Sequence, residues 1–162
     1  MRKEIIFAIG AAVALPLVVA SGLLLSSGAC RDFKEAEVII NTKQLSVAVA
    51  DDSIEQIRGL AGCKKVPNNS GMLFTYAEPT IPQFWMKGMV ISIDIVWIAD
   101  GKVVGMVEHV PPVEKFSDNP PRYNPPRLVS SVLELGAGKA AEYGIAVGDS
   151  VEVTIRPRTG NQ

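Results

Sequence analysis

Residues 91–110 read ISIDIVWIADGKVVGMVEHV, and this stretch decides the fold class. Ile91, Ile93, Ile95 and Trp97 fall on one face of an extended chain, while Ser92, Asp94, Val96 and Ile98 fall on the other. Asp100-Gly101 then supplies the left-handed dihedrals of a two-residue turn, and residues 102–110 return as the second arm of a hairpin. Both faces are apolar at the centre, so the pattern predicts that this hairpin sits inside a sheet. Asp94 is the exception. A lone carboxylate among Ile and Val is strongly disfavoured unless it has a partner, and Lys87 or Arg58 would serve.

Outward from the hairpin, the remaining segments also read as short strands. Residues 38–50 form two strand segments around Asn41-Thr42-Lys43, with Leu45, Val47 and Val49 alternating against Ser46 and Ala48. Asp52-Ser53 can cap a short helix, with Ser53 and Gln56 at capping-box spacing and Gly59 or Gly62 as its end. Residues 72–76 are a brief apolar strand, residues 128–135 another and residues 151–155 the last, with a second short helix over residues 138–143. Between residues 111 and 126 lie six of the 11 prolines, which make an extended loop and exclude a central strand there. The expected architecture is mostly β: a compact sandwich or partly open barrel with two short helices, preceded by an N-terminal hydrophobic helix.

That N-terminal segment is set apart by composition. Residues 5–25 are 21 positions without a charge, preceded by Arg2 and Lys3. As a helix they would reach about 31 Å, close to the hydrocarbon thickness of a bilayer. The basic residues predict a cytoplasmic N-terminus, so the domain beyond residue 25 is expected on the extracytoplasmic side of the cell membrane. The run is longer than the apolar core of a cleavable signal, which favours a retained anchor. Against this, Ser26-Ser27-Gly28-Ala29-Cys30 resembles a permissive bacterial lipobox, with Cys30 as the lipidated residue. The chain is thus divided into residues 1–30 as anchor or lipoprotein-type signal, 31–37 as tether, 38–156 as the β domain and 157–162 as a tail.

Residues 31–162 carry 14 basic and 16 acidic side chains, a near-neutral balance that offers no electrostatic footprint for nucleic acid. One histidine and two cysteines cannot assemble a four-ligand His/Cys metal centre, and no cofactor motif is present, so no metal and no cofactor are expected. At most one disulfide can form.

The order of several segments resembles the DUF192 family of small domains without a settled reaction. The matching pieces are Arg58-Gly59-Leu60, Gly71-Met72-Leu73-Phe74, Phe84-Trp85-Met86-Lys87, Ile93-Asp94-Ile95, Asp100-Gly101, Val132-Leu133-Glu134-Leu135 with Gly138, and Gly144-Ile145 with Gly148-Asp149. The Phe-Trp-Met-Lys tetrad is the specific part. This sequence departs from the common pattern at Cys63, Gly88 and Ser92. The resemblance implies a compact β-rich fold, often behind a membrane anchor or signal, and it supplies no catalytic assignment.

The tetrad is the sharpest candidate for a site. Alternation puts Phe84 and Met86 on one face and Trp85 and Lys87 on the other. Trp85 beside Lys87 could wall a pocket, the indole stacking on a sugar or flat ligand and the ammonium holding an anionic group, with Arg58 and Asp94 nearby. The commoner arrangement is that Trp85 is core and Lys87 neutralises a carboxylate. Asp94 and Glu134 are the weak catalytic candidates, because two converging carboxylates could hydrolyse a glycosidic bond. His109 reads as a surface or loop-anchoring residue, and Cys63 as a small filler or free thiol. Arg122, Tyr123 and Arg127 of the proline loop could line a binding edge.

Three readings of function follow. The first is a membrane-tethered accessory or ligand-binding module of the cell envelope, taking a small molecule or glycan. The second is an envelope hydrolase using Asp94 and Glu134. The third is a structural partner of another envelope protein.

Overall fold

The computed structural model describes residues 33–113 and 119–156. The expected anchor, Cys30 and the C-terminal tail lie outside these residues. Among the described residues, no helix is long and apolar enough to cross a membrane.

Seven strands form one sheet: β1 (Lys34–Ile40), β2 (Lys43–Ala50), β3 (Ser70–Thr80), β4 (Ile93–Ala99), β5 (Lys102–Val110), β6 (Val129–Gly136) and β7 (Val151–Arg156). Their spatial order is β5-β4-β6-β3-β2-β1-β7. Among the described residues there are also two short helices, α1 (Ser53–Arg58) and α2 (Lys139–Glu142). Every pairing is antiparallel except β2 with β3. A parallel pair needs a crossover, and α1 with its following turn provides it.

The sheet is open, and its two edges come together at one end. Lys102 of β5 bridges to Ser150, immediately before β7. The Val103 amide donates to the Asp149 carbonyl at 2.9 Å, and the Val151 amide donates to the Gly101 carbonyl at 2.8 Å. A two-sheet sandwich does not form, because the strands make one continuous ladder. Loops and helices cover its faces instead.

Each face has its own core. On the inner face, Val38, Leu45, Val47, Leu73, Val96, Leu133 and Leu135 cluster with Ala140 and Ile145 from the α2 region. The outer face gathers Met72, Phe74, Ile93, Ile95, Trp97 and Val132 with Leu60, Met86 and Met89 from the loops that cover it. All seven residues of β4 are buried, as its two apolar faces predict. The hairpin as a whole is not interior: β5 is an edge strand, exposing Lys102, Glu108 and His109. The central place beside β4 goes to β6, whose Ser131–Leu135 span is buried on both sides.

Turn chemistry agrees with the sequence. Asp100 and Gly101 have φ of 53° and 66°, both left-handed. At α1, the cap is Asp52 rather than Ser53: its carboxylate accepts from the amides of Ile54 and Glu55 at 2.9 and 2.8 Å. Asp52→Ala should cost about 1 kcal/mol, as cap removals do. A melting curve should then shift down by ~4 °C.

Candidate functional site

The positions of the two carboxylate candidates follow from the β4–β6 register. Glu134 is opposite Ile95 on one side and Met72 on the other, both outer-core residues. Asp94 is opposite Leu135, an inner-core residue. The two carboxylates therefore point to opposite faces of the sheet. The arrangement needed for a two-carboxylate hydrolase is absent.

Asp94 is a structural acceptor. Its Oδ1 receives the backbone amides of His109 at 2.8 Å and Gly138 at 3.0 Å, and its Oδ2 receives that of Ala140 at 2.9 Å. The carboxylate thereby ties the end of β5 and the start of α2 to the sheet centre. The expected partnership with Lys87 or Arg58 does not occur, since both lie on the other side of the sheet, and Asp94 is removed from the candidate ligand site. His109 is exposed and held at φ 54° by this bond, which fits its reading as a loop anchor.

Glu134 opens onto a cleft of about 350 Å³. One wall is α1 and its turn, contributing Gln56, Ile57 and Arg58; β3 supplies Phe74 and Tyr76; the segment around the tetrad supplies Gln83, Phe84, Trp85 and Lys87. Gln56 fastens α1 over β3 by donating its side-chain amide to the Thr75 carbonyl at 2.9 Å. The helix stops at Gly59, with φ 47°. A Cβ there would also sit 3.3 Å from the Phe74 ring, so glycine lets the wall lie close to the floor.

The tetrad is a loop, not a strand, yet its in-and-out alternation holds. Phe84 makes edge-to-face contacts with Phe74 at 5.0 Å and Trp97 at 5.5 Å. Met86 is buried, while Lys87 is exposed at the cleft mouth. Trp85 is 40% exposed, and the core indole is Trp97 instead. Paired backbone hydrogen bonds between Phe84 and Tyr123, at 2.9 and 3.0 Å, tie the tetrad to the proline loop. Arg122 of that loop stacks on Trp85 at 4.3 Å.

Electrostatically the cleft is unusual at its floor. Glu134 is 6% exposed, and its Oε2 has no hydrogen-bond partner among the described residues. Burial pushes the carboxyl up to about 8, so it is mostly neutral at pH 7 and can donate a hydrogen bond. Burial, and then the Glu134 charge, push the Tyr76 phenol well above its ordinary value. Arg58 and Lys87 bring positive charge to the same cleft. Tyr76, Gln56 and Gln83 escaped the sequence reading. Tyr76 was accessible in principle, since it shares parity with Phe74 on β3.

Cys63 is buried and disulfide-bonded, which corrects its reading as a free thiol. The carboxylates of Asp51, Asp52 and Glu55 lie close enough to share a cation. Asp51 is ion-paired with Lys34, however, and Asp52 is committed to capping α1.

Residues 36–153 match the DUF192 family, described as Uncharacterized ACR. The chain belongs to the DUF192 family. Two solved structures share the DUF192 sheet. A protein of unknown function from Novosphingobium aromaticivorans DSM 12444 is 28% identical with a TM-score of 0.61, over 73% of this chain and 83% of its own. A Sinorhizobium meliloti 1021 protein, provisionally described as a transcription regulator, is 26% identical with a TM-score of 0.66, over 78% of this chain and 98% of its own. No curated protein matches the chain. In this DUF192 member, then, the cleft has to be read from its own chemistry.

Proposed function

We propose that this chain is a membrane-tethered extracytoplasmic module of the cell envelope, and that it binds a small ring-shaped ligand bearing hydroxyl groups and an acidic group. The observation that carries this reading is Glu134, a cleft-lining carboxyl whose buried Oε2 has no hydrogen-bond partner among the described residues. Leaving such an atom unsatisfied costs roughly 1–3 kcal/mol, a debt that a ligand hydroxyl would remove. The neutral carboxyl and the Gln56 and Gln83 amides suit hydroxyl groups, Trp85 offers an aromatic platform, and Arg58 and Lys87 suit an acidic substituent. The separation of Asp94 from Glu134 favours binding over hydrolysis.

Two features support the compartment. Residues 5–25 are long and apolar enough to span a bilayer. The bond at Cys63 fits an oxidising environment.

The test is a melting experiment on the full chain in detergent, with uronic-acid oligosaccharides, neutral oligosaccharides and nucleotides as probes. A bound probe at a hundred times its dissociation constant adds about 2.7 kcal/mol, raising the melting temperature by ~10 °C. Acidic saccharides are expected to produce this shift. Trp85→Ala should abolish it while leaving the ligand-free melt within about 2 °C, because the indole is a rim residue. Absence of a shift with every saccharide would remove the reading.

A further inference from the structure

The polypeptide enters the domain beside the cleft. Phe33, the first described residue, packs against the outer core, and the Arg58 guanidinium lies 5.7 Å from its ring. Arg58 lines the cleft. Phe33 is eight residues beyond Leu25, the last of the uncharged run, and fully extended those eight steps reach at most about 28 Å. A domain of this length is roughly 35 Å across, so the leash is shorter than the molecule it holds.

The surface at this corner has the character of a membrane-interfacial one. Ile54 and Ile57, neighbours on one side of α1, are 80% and 75% exposed. Ile81, Trp85 and Val90 are exposed on the segment that forms the opposite wall. Lys64 and Lys65 follow Cys63 and are exposed, Lys87 stands at the cleft mouth, and Arg122 lies on Trp85. Exposed isoleucines, one tryptophan and a basic rim match an anionic lipid surface, where apolar side chains enter the headgroup layer and lysines meet lipid phosphates. The acidic groups nearby are Asp51, Asp52 and Glu55 at the start of α1, and the first two are engaged by Lys34 and the helix amides.

We propose that the mouth of the cleft docks on the bilayer that holds the leader, with Ile54, Ile57, Ile81 and Trp85 in the headgroup layer. The cleft then receives its ligand from the membrane side, as the acidic polar head of a lipid-borne amphiphile. This inference rests on the tethered reading of residues 5–25.

The test uses the full chain reconstituted into phosphatidylcholine–phosphatidylglycerol vesicles, with and without brominated acyl chains. The chain should float with the vesicles, and bromine should quench Trp85 emission roughly twofold, as expected for an indole in the interfacial layer. Trp85→Phe should leave only the weakly quenched emission of buried Trp97. Replacing Ile54 and Ile57 by serine should return Trp85 most of the way to its unquenched intensity. A chain that floats while Trp85 stays unquenched overturns the docking and leaves the tether standing. A chain that stays in solution overturns both. Protection of Trp85 that grows with the protein-to-lipid ratio would assign the face to a second copy and overturn the docking.

Discussion

Asp94→Ala is expected to lower the melting temperature by ~15 °C, corresponding to a loss of roughly 4 kcal/mol. Three buried or half-buried amides, from His109, Gly138 and Ala140, share this one carboxylate. Hydrogen bonds to a charged acceptor contribute about 1.5–3 kcal/mol each, and removing the acceptor strands every donor at once. The loss spreads beyond the immediate contacts. His109 has φ 54°, a left-handed backbone position that a non-glycine residue keeps only where the surroundings over-determine it. Asp94→Asn keeps one acceptor oxygen but turns an amide donor toward at least one N–H, so an intermediate drop is expected. Thermal melts of the full-length protein decide the matter. An alanine variant that melts with the wild type would return Asp94 to the list of functional candidates.

The second large effect concerns pH. A carboxyl that titrates near 4.5 in the unfolded chain and about 8 when folded binds its proton more tightly in the native state. Its contribution is therefore complete below pH 4.5, falls between pH 4.5 and 8, and is level above 8. The slope reaches at most about 1.4 kcal/mol per pH unit, so the whole window is worth a few kcal/mol. Other groups titrate in the same interval, and comparison with Glu134→Gln isolates this one. The wild type should lose on the order of 10 °C relative to the glutamine variant between pH 4.5 and 8. A constant difference across that range would mean that the carboxyl is not held neutral, and the cleft would lose the hydrogen-bond donor at its floor. Ligand affinity should hold across that window and fall only as pH passes about 8, because ionised Glu134 would both lose its proton and repel an acidic ligand.

Much of the fold was legible because its signals are local. The Asp100-Gly101 turn, the fully apolar β4 and the proline-rich loop each depend on neighbours within a few residues. The tetrad is a sharper case. Its alternation separated Phe84 and Met86 from Trp85 and Lys87, and that division survives although the segment is a loop, but the commoner expectation of Trp85 in the core is overturned by its exposure. The choice between Trp85 and Trp97 for the core was not legible. It depends on Phe84 packing between Phe74 and Trp97, residues brought together from three separate segments.

By itself, then, the sequence determined which residues share a face and where the chain turns, since alternation and turn chemistry operate within a few peptide units. It also placed an uncharged stretch of membrane-spanning length ahead of the domain. Only the tertiary structure decided which side of the sheet each face meets. Asp94 and Glu134 lie 40 residues apart, and a slip of one residue in their strand register would exchange core for cleft. Periodicity carries no information about that register. The β4–β6 pairing supplies it, sending one carboxylate to three backbone amides and leaving the other to face the cleft with an oxygen that none of the described residues satisfies.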